Sequence, residues 1–458
     1  MKERGAAALA AQARSAGVVD GASGAPRPLD QRLLAAAQAR VRVVIACAVD
    51  GEPLVATARR LAAEEPQALV RGLLAALEGT GARRGVIAVE RRAADARGAL
   101  ARALPAGAPL ELAVVPDVAA AGDAADLALD AAGVRVPDGV DPLRAGALVV
   151  DGAALVELAA GRPVTTRVVT VAGAVARPGV RRVPLGTCVE DVVAAAGGTT
   201  VGPAWVALSG GVLAGRPLDR DDVVTKATRA LVVVAGDSDL ARRARVPAAD
   251  HLRRSLSACE RCAMCSDACP PRLLGGRLRP DALVRALSSA RGGWDALAAA
   301  LDCTGCGVCD VACPSGLSPR RLVAAAARAL ADEPIAVRPA DTGLDAEPRA
   351  PHRRRDARRL SLSLAALRLG LGEQPPEPPW DSSPVRPRRV AIPLKQSLGV
   401  AACPRAAPGD PVTCGDRIAD APEGAVAVAM HASVDGVIAE IDAGAIVIEA
   451  ETSTSPRA

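Results

Sequence analysis

Over the first 160 residues, apolar and mixed stretches alternate with a period that changes back and forth. Residues 41–46, 85–89 and 111–115 are short apolar runs that read as buried strands. Residues 66–77 and 92–104 repeat their apolar positions at helical spacing. Strand and helix in turn predict an α/β domain over 1–160 with a largely parallel sheet. From 164 to 236 the pattern shifts to strands at 167–173, 180–184, 208–211 and 230–234, with one helix over 188–196. That is a small α+β module of β-grasp type. Residues 247–332 read as mostly helical, with helices over 278–301 and 319–331. Residues 333–387 form a Pro- and Arg-rich linker whose basic run, 352–359, reads as a solvated face. Short strands punctuated by Gly and Pro over 388–451 predict a small all-β barrel or sandwich. The fold class is therefore multidomain α/β plus α+β.

Composition narrows the function. The net charge of +5 is modest for 458 residues, and no basic patch interleaved with aromatics points to nucleic acid. Tyr and Phe are absent, so Trp205, Trp294 and Trp380 are the aromatics available to stack on a cofactor. The alanine-rich N-terminus is too weakly apolar for a signal peptide. The uncharged stretch 192–215 is broken by Gly and Pro, which excludes a membrane span. Together these predict a cytoplasmic protein.

The cysteines carry the chemistry. Eight of the twelve lie in two runs of identical spacing, Cys259-x2-Cys262-x2-Cys265-x3-Cys269-Pro270 and Cys303-x2-Cys306-x2-Cys309-x3-Cys313-Pro314. This is the ligand spacing of two [4Fe–4S] clusters, in which each run's fourth cysteine ligates the other cluster. Cys259, Cys262, Cys265 and Cys313 are thus assigned to one cluster, and Cys303, Cys306, Cys309 and Cys269 to the second. Zinc, the alternative, more often takes two separated Cys-x2-Cys pairs. Cys403, Cys414 and His431 could also form a metal site, but their spacing carries little. Cys188, at the start of a helix, reads as a buried small hydrophobe.

Two loops in the first domain could bind a ligand. Gly17, Gly21 and Gly24 space a turn that could bring backbone N–H groups to a phosphate, with Arg27 beside it. Asp50-Gly51-Glu52-Pro53 follows the first strand, where ligands gather in such sheets. Either also reads as a plain turn.

The order of these pieces resembles a known family. Gly85–Val89, the strands around 168–184, the doubled cysteine motif and His431-Ala432-Ser433-Val434-Asp435-Gly436 are similar to the RnfC component of the Rnf electron-transport complex. They are more similar to its relatives, the cobalamin reductases of propanediol-utilisation microcompartments, which also carry the barrel-sandwich domain at the C-terminus. The resemblance implies a complex I flavoprotein-like first domain, an SLBB-type β-grasp domain, FMN as cofactor and NADH as donor. It implies electron flow through the clusters to a corrinoid or an acceptor protein, such as an adenosyltransferase, in the cytoplasm or inside a microcompartment. Two further functions are open: a flavin-free electron-transfer adaptor, and a peripheral component of a membrane ion pump. The family's glycine loop carries a Phe and a Lys, which Asp20–Pro28 lacks; Arg27 stands as the replacement for the phosphate-facing lysine. The 430–436 hairpin lacks the lysine of a swinging-arm carrier.

Overall fold

In the computed structural model the described residues are 2–22, 24–287, 293–331, 347–372, 377–442 and 444–451. The expected linker 333–387 therefore lies partly outside them, as does Ser23 of the glycine loop. The first domain is built on a four-stranded sheet in the order Leu110–Val115, Arg84–Glu90, Val43–Ala48, Ala147–Asp151. All its pairs are parallel, with Ala46 opposite both Ile87 and Val150. Every residue of Val43–Ala48 is buried, because helices cover both faces and the strand has no wet side. The helix Pro66–Thr80 starts on a proline and ends at Gly81 in the left-handed region, as expected of such termini.

The β-grasp module holds a five-stranded mixed sheet in which Ala230–Ala235 runs parallel to Thr166–Gly173. Its helix Val189–Ala195 begins at Cys188, whose sulfur accepts from Asp191 N. Cys188 is half-buried, so it acts as the helix cap rather than as a core residue. The C-terminal unit packs two small sheets around Ile392, Ile418, Met430, Ile438 and Ile448. Of the short strands expected over 388–451, the one leading into the hairpin is only Met430–His431. His431 is buried, while Cys403 and Cys414 are exposed. No group of metal ligands forms among these described residues, so that reading fails.

Two sets of buried charges fasten the domains together. Arg167 reaches from the β-grasp sheet to Asp151 and Glu157 of the first domain, both at 2.9 Å. Lys226 is 1% exposed and donates to Gly17 O at 2.7 Å and to Ala429 O at 2.9 Å, joining three domains. Burial lowers its pKa to about 8. In the unfolded chain it keeps its proton up to about 10.5, so between pH 8 and 10.5 the unfolded state binds more protons and stability rises with pH. That rise amounts to roughly 3 kcal/mol. Unfolding curves of Lys226→Met against the wild type across this window are expected to show the variant losing the rise.

The basic run 352–359 is not a solvated face. Arg355, buried, and Arg359, half-buried, pair with Asp126 and Asp130 of the helix Ala124–Ala132, and Arg358 pairs with Asp267 at 2.8 Å. Leu362 N donates to Asp117 O and Ala119 N to Leu360 O. The segment is a strap from the first domain to the cysteine-bearing module.

Candidate functional site

A cavity of about 710 Å³ opens at the C-terminal end of the parallel sheet, between the first domain, the β-grasp module and the second cysteine run. Its size suits a cofactor, since ligand pockets span about 300–1,000 Å³. Gly21, Gly24, Arg27, Asp50 and Glu52 all line it, as do Cys303 and Cys306. Gly17 does not. Its left-handed backbone (φ 70°) places it against the barrel, where a Cβ would lie 2.4 Å from Lys226 Nζ and 2.5 Å from Ala429 O. Gly17 is thus a packing glycine, and the neighbouring Val19 is buried in the barrel core.

The two acidic residues are both occupied within the protein. Asp50 accepts from Ala58 N at 2.8 Å and Arg59 N at 3.3 Å, closing the start of the helix Thr57–Glu64. Glu52 accepts from Leu213 N at 3.0 Å and Ala214 N at 3.1 Å, across the domain boundary. Burial pushes its pKa up to about 7, against the pull of those two N–H groups. The 210–215 loop so gripped also touches the cysteine module: a Cβ on Gly307, at φ 79°, would lie 2.2 Å from Leu213 O. The β-grasp loop is wedged between Glu52 and the loop that carries Cys306.

Arg27 contacts Asp141 at 3.3 Å through one terminal nitrogen, while its Nε is buried and has no hydrogen-bond partner. An orphaned guanidinium nitrogen in a cavity walled by glycines fits a phosphate, which takes arginine through paired N–H donors. Sequence reasoning missed Arg229, which lines the same wall 3.9 Å from Asp50 and lies 3.3 Å from Val49 O. It follows a β-grasp loop of no special pattern, so only the tertiary fold brings it to the site.

The cysteines gather in two electrostatic groups. Burial and the neighbouring thiols Cys306, Cys303 and Cys265 hold Cys269 well above the ordinary thiol range. Burial, Asp310 and the thiols Cys306, Cys303 and Cys269 do the same to Cys309. Cys265 is pushed up to about 12 by burial, Asp281, Cys313 and Cys262. Thiols so crowded and desolvated resist ionisation unless a metal supplies the positive charge. Among the described residues no three His, Cys, Asp or Glu side chains converge on one point as a single ion requires. A four-iron cluster instead takes one thiolate at each of four separate irons, and the donor set suits it. Cys303 and Cys306 stand at the cavity wall; Cys259, Cys262, Cys265 and Cys313 do not reach it.

Known proteins match this arrangement along the chain. Residues 13–159 match the Nuo51 FMN-binding domain, 168–217 the SLBB domain, 258–318 the 4Fe-4S dicluster domain and 382–455 the RnfC barrel sandwich hybrid domain. "Cobalamin reductase PduS" of Salmonella typhimurium is 35% identical over 95% of this chain and 95% of its own. The chain belongs to the PduS cobalamin reductase family. "Cobalamin reductase PduS" of Citrobacter freundii is 34% identical, again over 95% of each chain. A component of the Na(+)-translocating ferredoxin:NAD(+) oxidoreductase complex of Acetobacterium woodii is 26% identical over 59% of each chain. A structure of NAD+-reducing [NiFe]-hydrogenase in the H2-reduced state aligns with a TM-score of 0.45 and 20% identity, covering 70% of this chain and 62% of that one. The family member described here is thus an iron–sulfur protein with a flavin-binding domain. Among its described residues no helix is long and apolar enough to cross a membrane.

Proposed function

We propose that this protein oxidises NADH and passes the electrons singly to a corrinoid; its Salmonella relative is named a cobalamin reductase. The carrying observation is the shared wall: the cavity lined by Arg27 and the 50–52 loop is closed on one side by Cys303 and Cys306. Bound FMN supplies the exchange between a two-electron donor and one-electron carriers, and the two [4Fe–4S] clusters supply the carriers. Cys303, Cys306, Cys309 and Cys269 would hold the cluster beside the cavity, and Cys259, Cys262, Cys265 and Cys313 the distal one. Arg27, with the backbone at Gly21 and Gly24, would hold the phosphate. Glu52 and Asp50 shape the wall through the backbone groups they bind. An adenosyltransferase holding the corrinoid, in the cytoplasm or a microcompartment, is the acceptor this reading favours.

The test is a count of iron, sulfide and FMN per chain, with spectra recorded before and after NADH. Stoichiometric FMN and bleaching of the cluster absorbance by NADH are expected. Protein that holds iron, takes up no FMN and ignores NADH would instead be a flavin-free adaptor.

A further inference from the structure

Electrons that enter beside Cys303 and Cys306 need a point of departure. Of the eight cysteines in the two runs, Cys262 alone is exposed. The helix Ala248–Ala258 leads into its run and ends at Cys259. That helix presents Arg253, Arg254 and Leu256 to solvent, the following loop presents Arg261, and the short helix Met264–Asp267 presents Met264. Leu256 is 57% and Met264 37% exposed. Glu260 is the exposed acid of this stretch, and Asp250, half-buried, pairs with Arg253. Among the described residues, Arg254 and Arg261 form no ion pair; Arg254 acts on Asp239, which itself pairs with Arg242, and the exposed thiol follows directly on Arg261 in the chain.

We propose that the face formed by the 253–264 stretch around Cys262 docks a protein that carries a one-electron cofactor beneath an acidic surface. The inference rests on the electron route proposed above. Exposed arginines on a stretch that also exposes apolar side chains steer an oppositely charged partner and hold it in register, while Leu256 and Met264 exclude water from the contact. The transfer moves one electron: the distal cluster is oxidised by one, and the acceptor's metal is reduced by one. No bond or proton changes place.

Cytochrome b5, whose haem edge is ringed by carboxylates, serves as the acidic probe, and basic cytochrome c as its opposite. The reconstituted holoprotein is reduced with dithionite, freed of excess reductant and mixed with each probe in a stopped-flow instrument; affinities for the oxidised probes are measured separately. Cytochrome b5 reduction and binding are expected to weaken about tenfold between low and physiological salt. In Arg254→Glu/Arg261→Glu both are expected to fall about tenfold at low salt, while cytochrome c gains. Arg253→Glu/Arg254→Glu, altered on the helix alone, repeats the test away from the cluster ligands, with iron content as the check on folding. Equal responses of the two cytochromes to charge reversal, or none, would overturn the docking face. Because dithionite replaces NADH and FMN, failure of NADH to reduce the clusters sinks the functional reading and leaves this measurement standing.

Discussion

Cys269→Ser is expected to destroy the cluster at the cavity wall although the residue belongs to the first cysteine run. The expectation rests on the crossed ligand assignment: Cys269 lies at the start of the short helix Pro270–Leu273, and Cys306 and Cys303 of the second run act on its thiol alongside Cys265 of its own. About half of the iron should be lost. The surviving distal cluster should still respond to dithionite but no longer to NADH, since the carrier between it and the cavity is gone. Cys313→Ser should do the reverse. It should also lose about half of the iron, keep NADH bleaching of the cavity-side cluster, and lose delivery to protein acceptors. Low-temperature electron paramagnetic resonance of the NADH-treated variants separates the two outcomes. If Cys269→Ser and Cys262→Ser remove the same signal, each run holds its own cluster and the assignment is wrong.

The elements that sequence made legible are those whose signal is local. The strand at 84–90, the helix Pro319–Ala331 and the parallel order of the first sheet follow from apolar period and length. The doubled cysteine runs were legible for the same reason, because a cubane's ligands must come from a tight loop. The helix Lys2–Ala16 was not, since alanine marks no face strongly. It is defined by its packing: a Cβ on Gly79 would lie 2.6 Å from the side chain of Leu9. Gly17 misled because a glycine in the left-handed region serves a domain junction as readily as a phosphate loop. Arg27, Asp50 and Glu52 were found from position after a strand or turn, but what they bind lies more than a hundred residues away or in a helix no motif announces.

The strap is the clearest case of information that exists only in three dimensions, and its removal should be costly. Arg355 donates to Asp130 at 2.7 Å and to Asp126, and Arg359 reaches Asp130 at 2.7 Å. Asp126 is buried, and burial together with Asp123 raises its pKa to about 6 even with both arginines opposing the shift. Arg355→Ala leaves that carboxylate without its nearest cation, which costs about 3–5 kcal/mol for a buried pair broken on one side. The sign of the pH dependence follows from the raised value. Between about pH 4 and 6 the folded state holds a proton on Asp126 that the unfolded chain has released, so this group lowers stability as pH rises. Losing Arg355 raises the pKa of Asp126 further, so the variant's deficit should be large at pH 8 and shrink toward pH 5, where the carboxyl is neutral. Hydrogen exchange at Leu362 N, which donates to Asp117 O in the first domain, reports the strap directly. That amide should exchange faster in Arg355→Ala at pH 8 and approach the wild-type rate, after correction for intrinsic exchange, near pH 5. Arg353→Ala, altered at an exposed neighbour, should leave it unchanged. A deficit of equal size at both pH values would mean that Arg355 holds the strap by packing of its stem rather than by the charge of Asp126.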